Sequence, residues 1–282
     1  TGAVLAIGFM PASGSEIEIV NLAAEATPGT PLNAYIFIDR GGKITIYNHR
    51  PEMGQGTFQS MPMIIAEELE ADIKNVTIAP SPADRSKYGD QSVVGSRSTQ
   101  TQFEPMRKVG AAAKAMLMQA AATKWQTEVS ECYAENAIVI HRPSGKKFTY
   151  GELVEDASKL TPPQNPVLKS RKDFKVIGQS LPRQDIPSKT NGSAKYGIDF
   201  LVPGMLYASV ERSQVFLGKV VSFNDAKAKA IPGVKHVFKT QRNVWGNNRE
   251  GVAVLADNYW AAEQGRKALE IVWDNSDYET WS

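Results

Sequence analysis

The sequence predicts a mixed α/β chain, α+β in its arrangement, built as two units in succession. Three observations predict it. In the first half, short runs of β-branched and aromatic residues alternate with two long helical patterns. The segment Thr161-Pro162-Pro163-Gln164-Asn165-Pro166 then breaks both patterns and reads as a linker. From about Gly192 the rhythm changes to strand, loop, strand, helix, strand. With 282 residues, 42% hydrophobic and 22% charged, the chain is long enough for two cores. The expected division is 1–31 as lead-in, 32–160 as the first unit, 161–185 as linker, 186–275 as the second unit and 276–282 as the start of a continuation.

Thr1–Met10 is apolar, rich in Gly and Ala and too short to span a bilayer. Small and polar residues follow it, a pattern read as the remnant of an export signal in preference to a buried first strand. The stretch from Ser15 to Leu32, with Pro28, Gly29, Thr30 and Pro31, reads as irregular. Ala34–Ile38 and Lys43–Tyr47 are strand-like and flank Asp39-Arg40-Gly41-Gly42, a hairpin connection. Phe58, Met61, Ile64, Ile65 and Leu69 share one helical face over Thr57–Leu69, with Pro62 near its start. Val76–Ala79 returns as a strand, and Pro80–Gln91 reads as a loop.

Thr101 and Glu104 have capping-box spacing with Pro105 in the first turn, so a helix is expected over Phe103–Trp125. Its small residues suit burial on most sides, and Met106, Met116 and Met118 read as core filling. A hairpin is expected from Ala137–Ile140 and Lys147–Tyr150, followed by a helix to about Leu160. Phe174–Ile177 and Ile186–Lys189 read as extended. Leu206–Val210, Gly218–Phe223, Val234–Phe238, Val252–Leu255 and Ile271–Trp273 read as strands. A short helix starts at Asp225 and stops at Pro232-Gly233, and a second runs from Asn258 to Leu269. Phe216 reads as a core residue.

Function is sought in two polar loops, each opening into a helix: Glu52-Met53-Gly54-Gln55-Gly56 and Gly95-Ser96-Arg97-Ser98-Thr99. A helix start offers unpaired N–H groups and the positive end of a dipole, and so suits an anion. Glycine lets a ligand approach the backbone, while Gln, Ser, Arg and Thr supply directed hydrogen bonds. The competing readings are a tight strand-to-helix turn for Gly54 and Gly56, and a hydroxyl-capped solvated loop for Gly95–Thr99. Two such loops suggest one large phosphate-bearing ligand. The formal net charge of +2 carries no basic stripe, which argues against nucleic acid. Three scattered histidines, His49, His141 and His236, and the single Cys132 are too few for a protein-ligated zinc or iron–sulfur site. Cys132 reads as a small packed side chain.

The blocks Glu52–Gly56, Ala66-Glu67-Glu68-Leu69, Gly95–Thr99, Lys189–Asp199, Pro203–Ala208, Ile231–Val234 and Ala256–Ala262 together match a known family. In most of its members the last four blocks come before the Glu52–Gly56 block, and the order found here marks one type within it. The chain resembles the molybdopterin-binding large subunit of the xanthine dehydrogenase/aldehyde oxidase family, of the isoquinoline 1-oxidoreductase beta-subunit type. The resemblance covers the chain from about Leu32 onward. It implies an incomplete molybdopterin-binding domain followed by an α/β-hammerhead domain. It also implies a molybdenum hydroxylase whose metal is held by the pterin, with oxygen supplied by water. The cofactor would be molybdopterin, in a dinucleotide form, with molybdenum. Met53, Gly54, Gln55 and Gly56 would lie along the pterin or its phosphate. Gly95, Ser96, Arg97, Ser98 and Thr99 would hold the phosphate or nucleotide end.

The resemblance further implies a small iron–sulfur subunit as electron acceptor, with a cytochrome as a further acceptor. The substrate would be a small aromatic heterocycle or an aldehyde, and the location periplasmic by the twin-arginine route. The family's catalytic glutamate would lie beyond Ser282, so the chain is expected to be an N-terminal portion, inactive alone. Glu52, Glu67 and Glu68 read as ordinary loop or helix-surface carboxylates. The competing reading is a non-catalytic interaction or assembly module that keeps the fold.

Overall fold

The computed structural model describes residues 4–11, 17–21 and 35–276. The chain divides into two compact units, Thr1–Ala194 and Lys195–Ser282. In the first unit, strands β1 (Val4–Pro11), β2 (Ile17–Asn21), β3 (Ile36–Asp39), β4 (Ile44–Asn48) and β5 (Val76–Pro80) form a five-stranded sheet in the order β2-β1-β3-β4-β5. Strands β3 and β4 make the expected hairpin, and their alternation buries Ile36, Ile38, Ile44 and Ile46 on one face. β4 and β5 are parallel, joined through helix α1 (Thr57–Leu69), whose bounds match the sequence reading.

A single turn, α2 (Arg85–Tyr88), interrupts the expected loop before helix α3 (Arg97–Trp125). Helices α1 and α3 touch at Gly110: a Cβ there would overlap the Ile65 carbonyl oxygen and press on Glu68 Cβ. Only glycine lets the two backbones come this close. A three-stranded sheet of β6 (Cys132–Glu135), β7 (Ile138–His141) and β8 (Lys147–Thr149) follows. It leads into α4 (Tyr150–Ala157), which begins with a Thr149–Glu152 capping box. Cys132, Met106 and Met116 are core residues, and Met118 packs against that core.

Several expectations change. Val4–Pro11 and Ile17–Asn21 are strands: β1 pairs antiparallel with both β2 and β3, so backbone pairing decides where side-chain alternation gave no signal. The lead-in through Pro28–Pro31 and the tail 277–282 lie outside the described residues. Helix α3 starts before the anticipated capping box, and Thr101 is an interior residue whose hydroxyl donates to the Arg97 carbonyl at 2.8 Å. Ser96, in the left-handed conformation at φ 54°, is the residue that turns the chain into the helix.

Glu67 and Glu68 are not surface carboxylates; they are 1% and 0% exposed. They account for the segment read as a linker. Glu67 accepts from the amides of Lys175, Val176 and Ile177, and Glu68 from that of Lys169, so this strap is bound to α1. Val176, Ile177 and Leu181 pack against the core. Ile186–Thr190 is a short helix, α5, with Pro187 in its first turn, rather than an extended approach. It belongs to the first unit, so the division falls later than the sequence placed it.

The second unit contains β9 (Tyr207–Glu211), β10 (Lys219–Asn224), α6 (Ala226–Lys229), β11 (Val234–Val244), β12 (Asn247–Ala256), α7 (Tyr259–Lys267) and β13 (Glu270–Asp274). Its sheets are β11-β12-β9 and β10-β13. β11 and β12 run well past the expected apolar runs. Polar residues from Thr240 to Asn243 continue the ladder opposite Asn248–Gly251, held by main-chain pairing that hydrophobic alternation does not reveal. Asn258 caps α7 by accepting from the Ala261 amide at 2.8 Å. Phe216, expected in the core, is 54% exposed.

Candidate cofactor-binding site

Strand β4 ends at Asn48, whose carbonyl accepts from the Ser81 amide beyond β5. His49 and Arg50 follow, and both are buried. The Arg50 guanidinium donates to the Ser92 carbonyl and reaches Asp90 at 3.4 Å, tying the approach to the first loop to the approach to the second. His49 packs edge-on against Tyr35 at 5.1 Å, and neither ring nitrogen makes a hydrogen bond of normal geometry. Burial, reinforced by the Arg50 charge, lowers its pKa to about 3, so the ring is neutral at physiological pH.

The first loop is held by its own acid. Glu52 accepts from the amides of Gly54 at 2.7 Å, Gly56 at 3.1 Å and Phe58 at 2.8 Å, and pairs with Arg183 at 3.1 Å. Burial pushes the carboxyl up, but these amides and the guanidinium outweigh it and hold it below the ordinary range. Gly54 and Gly56 have φ of 106° and 91°, the left-handed region the turn requires. Gln55 folds back on the loop: its carbonyl accepts from the Met53 amide at 2.6 Å, and its amide donates to the Pro51 carbonyl and to Thr57. Met53 is 70% exposed. The amides read as anion donors at the start of α1 are therefore filled from within by Glu52. An acid two residues before the first glycine was the available signal.

The second loop is different. Gly95 and Ser96 both have positive φ, and α3 begins with no side-chain cap and no acid in its first turn. Arg97, Ser98 and Thr99, expected in the loop, form that turn. Arg97 is exposed and makes no ion pair among the described residues. A 29-residue helix thus presents its uncapped positive end beside a free guanidinium.

The two loops lie at one end of the first unit. Gln102, near the start of α3, sits beside His49, and Gly110 farther along meets Ile65 and Glu68 toward the end of α1. Both helices therefore begin at the carboxyl end of the parallel β4–β5 pair and run in the same direction. Among the described residues no three His, Cys, Asp or Glu side chains cluster as metal ligands. No helix there is long and apolar enough to cross a membrane.

A family described as the molybdopterin cofactor-binding domain matches residues 6–203, the greater part of the chain. The chain belongs to this family. It is 30% identical to the beta subunit of the isoquinoline 1-oxidoreductase of Brevundimonas diminuta, over 95% of this chain and 38% of that protein. It is 32% identical to the membrane-bound aldehyde dehydrogenase [pyrroloquinoline-quinone] of Gluconacetobacter polyoxogenes, over 96% of this chain and 36% of that one. With a nicotinate dehydrogenase subunit of Pseudomonas putida it shares 26% identity over 86% of this chain and 20% of that one. The chain thus spans well under half the length of these relatives. Most of it is a molybdopterin cofactor-binding domain, whose cofactor is molybdopterin with molybdenum. The start of α3 is chemically suited to an anion.

Proposed function

We propose that this chain is the cofactor-holding portion of a molybdenum hydroxylase large subunit that oxidises an aromatic N-heterocycle or an aldehyde. The observation that carries the reading is the match to the molybdopterin cofactor-binding family over residues 6–203. The cofactor supplies the redox chemistry at the substrate carbon. The chain's part is to grip and orient. The amides of Arg97, Ser98 and Thr99 and the Arg97 guanidinium hold a pyrophosphate, as expected of a dinucleotide form of the pterin. Gly95 and Ser96, both turned left-handed, lead the chain into those amides, with the Arg97 side chain lying beside Gly95. Gly54 and Gly56 admit the pterin close to the first loop, with Met53 and Gln55 beside it. Glu52 keeps that loop in shape and discourages a second anion there. Electrons leave to an iron–sulfur subunit and from there to a cytochrome. The second unit is an α/β-hammerhead, and the protein works in the periplasm after twin-arginine export.

One observation favours a second reading, an assembly module that keeps the fold without cofactor: Glu52 already fills the amides at the start of α1. Metal analysis and pterin extraction on the protein purified with its partner chains decide between them. Molybdenum and a pterin nucleotide are expected in near-stoichiometric amounts, and their absence would overturn the enzyme reading. Arg97→Ala is expected to weaken cofactor retention by roughly tenfold or more, the scale of one charge-assisted phosphate contact.

A further inference from the structure

In the second unit a cavity of about 110 Å³ opens between the connection following β9 and strand β12, lined by Arg212, Ser213, Phe216, Leu217 and Arg249 among others. The Arg249 guanidinium lies 5.0 Å from the centre of the Phe216 ring. Its Nε is buried and has no hydrogen-bond partner. Arg249 also stands directly opposite Arg242 in the β11–β12 register, where like charges repel. Among the described residues none of Arg212, Arg242 and Arg249 forms an ion pair. The neighbouring acid is already engaged: Glu250 pairs with Lys239 at 2.9 Å and accepts from the Val220 amide at 2.7 Å. The cavity wall therefore carries two guanidiniums, an aromatic ring and one carboxylate, Glu250, whose charge is already taken up by Lys239.

The loop is fixed in the shape that makes this wall. Leu217 has φ 63°, a conformation a branched side chain adopts at a cost. A Cβ at position 218 would overlap Ser213 and Asn275, so only glycine lets the loop close on itself. The hydroxyl of Ser213 is used within the loop, accepting from the Val215 amide at 3.0 Å. These constraints turn Phe216 outward over Arg249 instead of into the core.

We propose that this cavity binds a small planar aromatic carboxylate. The carboxylate takes the orphaned Arg249 Nε–H and the Arg212 guanidinium, a geometry for which arginine's planar fork is suited. The ring lies against Phe216 and Leu217 in an offset or edge-on contact. A neutral aromatic leaves the buried Nε–H unpaired, and inorganic phosphate leaves the apolar part of the wall wet.

Isothermal titration of the 282-residue chain with benzoate, benzamide and inorganic phosphate tests this. Benzoate is expected to bind about tenfold or more tightly than either comparison, the worth of one charge-assisted pair. Arg249→Lys and Phe216→Ala should each weaken benzoate several-fold or more while leaving the unfolding midpoint in place. Should Arg249→Lys unfold the chain, the exposed Arg212→Gln supplies the same test and is expected to weaken benzoate. Benzamide binding as tightly as benzoate, phosphate doing so, no benzoate binding at all, or benzoate binding indifferent to Arg212→Gln would each overturn the proposal.

Discussion

Glu67 and Lys169 meet at 2.6 Å with their side chains 0% and 8% exposed, an ion pair removed almost wholly from water. Its geometry is completed by the strap amides of Lys175, Val176 and Ile177, which leave the carboxylate no unpaired oxygen. Removing the Glu67 carboxylate leaves the amides of Lys175, Val176 and Ile177 without an acceptor, while Lys169 keeps a second partner in Glu70 at 2.8 Å. Glu67→Ala is therefore expected to lower stability by roughly 3–5 kcal/mol, mainly the cost of those orphaned amides, read from the denaturant midpoint. It should also release residues 161–185 to limited proteolysis before the rest of the unit unfolds. Burial raises the Glu67 carboxyl, but Lys169 and the three amides lower it further, so the net position is below the usual range. A carboxyl held low stabilises fully above its unfolded value of about 4.3 and loses that contribution as pH falls through the folded value. Strap release on acidification should accordingly begin below about pH 4. A strap that stays protected in Glu67→Ala would show that apolar packing of Val176, Ile177 and Leu181 holds it instead.

Glu52 offers a test of what the first loop is for. Glu52→Gln keeps the size but removes the charge facing the amides of Gly54, Gly56 and Phe58 and the Arg183 guanidinium. The expected loss is about 1–2 kcal/mol of stability, in the range of a helix cap. A midpoint unchanged from the parent would mean that Gln55, through Met53 and Thr57, suffices to shape the turn.

At the crossing of α1 and α3, Gly110→Ala forces a methyl group into the Ile65 carbonyl. Helix propensity alone favours alanine by up to about 1 kcal/mol, so a stabilised variant is the outcome if the crossing relaxes freely. The contact is with backbone, which yields less readily than a side-chain tip. A net loss of about 1–3 kcal/mol is expected, the cost of overpacking. Differential scanning calorimetry of the two proteins separates these outcomes by sign.

Much of the fold was legible because it rests on local pattern. Thr57–Leu69 carried helical spacing, β3 and β4 carried alternation around a Gly-containing turn, and Asn258 announced its helix as a cap. What sequence reading missed depends on partners distant in the chain. Glu67 and Glu68 look like ordinary helix carboxylates until the amides of residues 169–177, more than a hundred positions on, arrive beside them. The apolar start reads as a leader because nothing local tells that Val4–Pro11 pairs with β3. At the candidate site, the sequence marked both loops and the helices they open. It did not reveal that one loop is closed by its own glutamate while the other leaves its helix uncapped.

His49 gives the last test. The ring is 2% exposed and neither nitrogen makes a hydrogen bond of normal geometry; burial and the Arg50 charge oppose protonation more strongly than Asp90 and Gln102 favour it. Its folded pKa of about 3 lies below the unfolded value of about 6.5. The unfolded chain therefore takes up a proton over a range where the folded chain does not. Stability should fall as pH drops from about 6.5 toward 3, by about 1.4 kcal/mol per pH unit from this residue alone. His49→Phe keeps a ring against Tyr35 but cannot titrate, and it removes two buried ring nitrogens. The variant is expected to match or exceed the parent at pH 7 and to gain on it steadily down to pH 4. Chemical unfolding at several pH values measures both slopes. Parallel slopes would mean that His49 is protonated in the folded protein, and that the acid side of this first unit is governed by Glu52 and Glu67 instead.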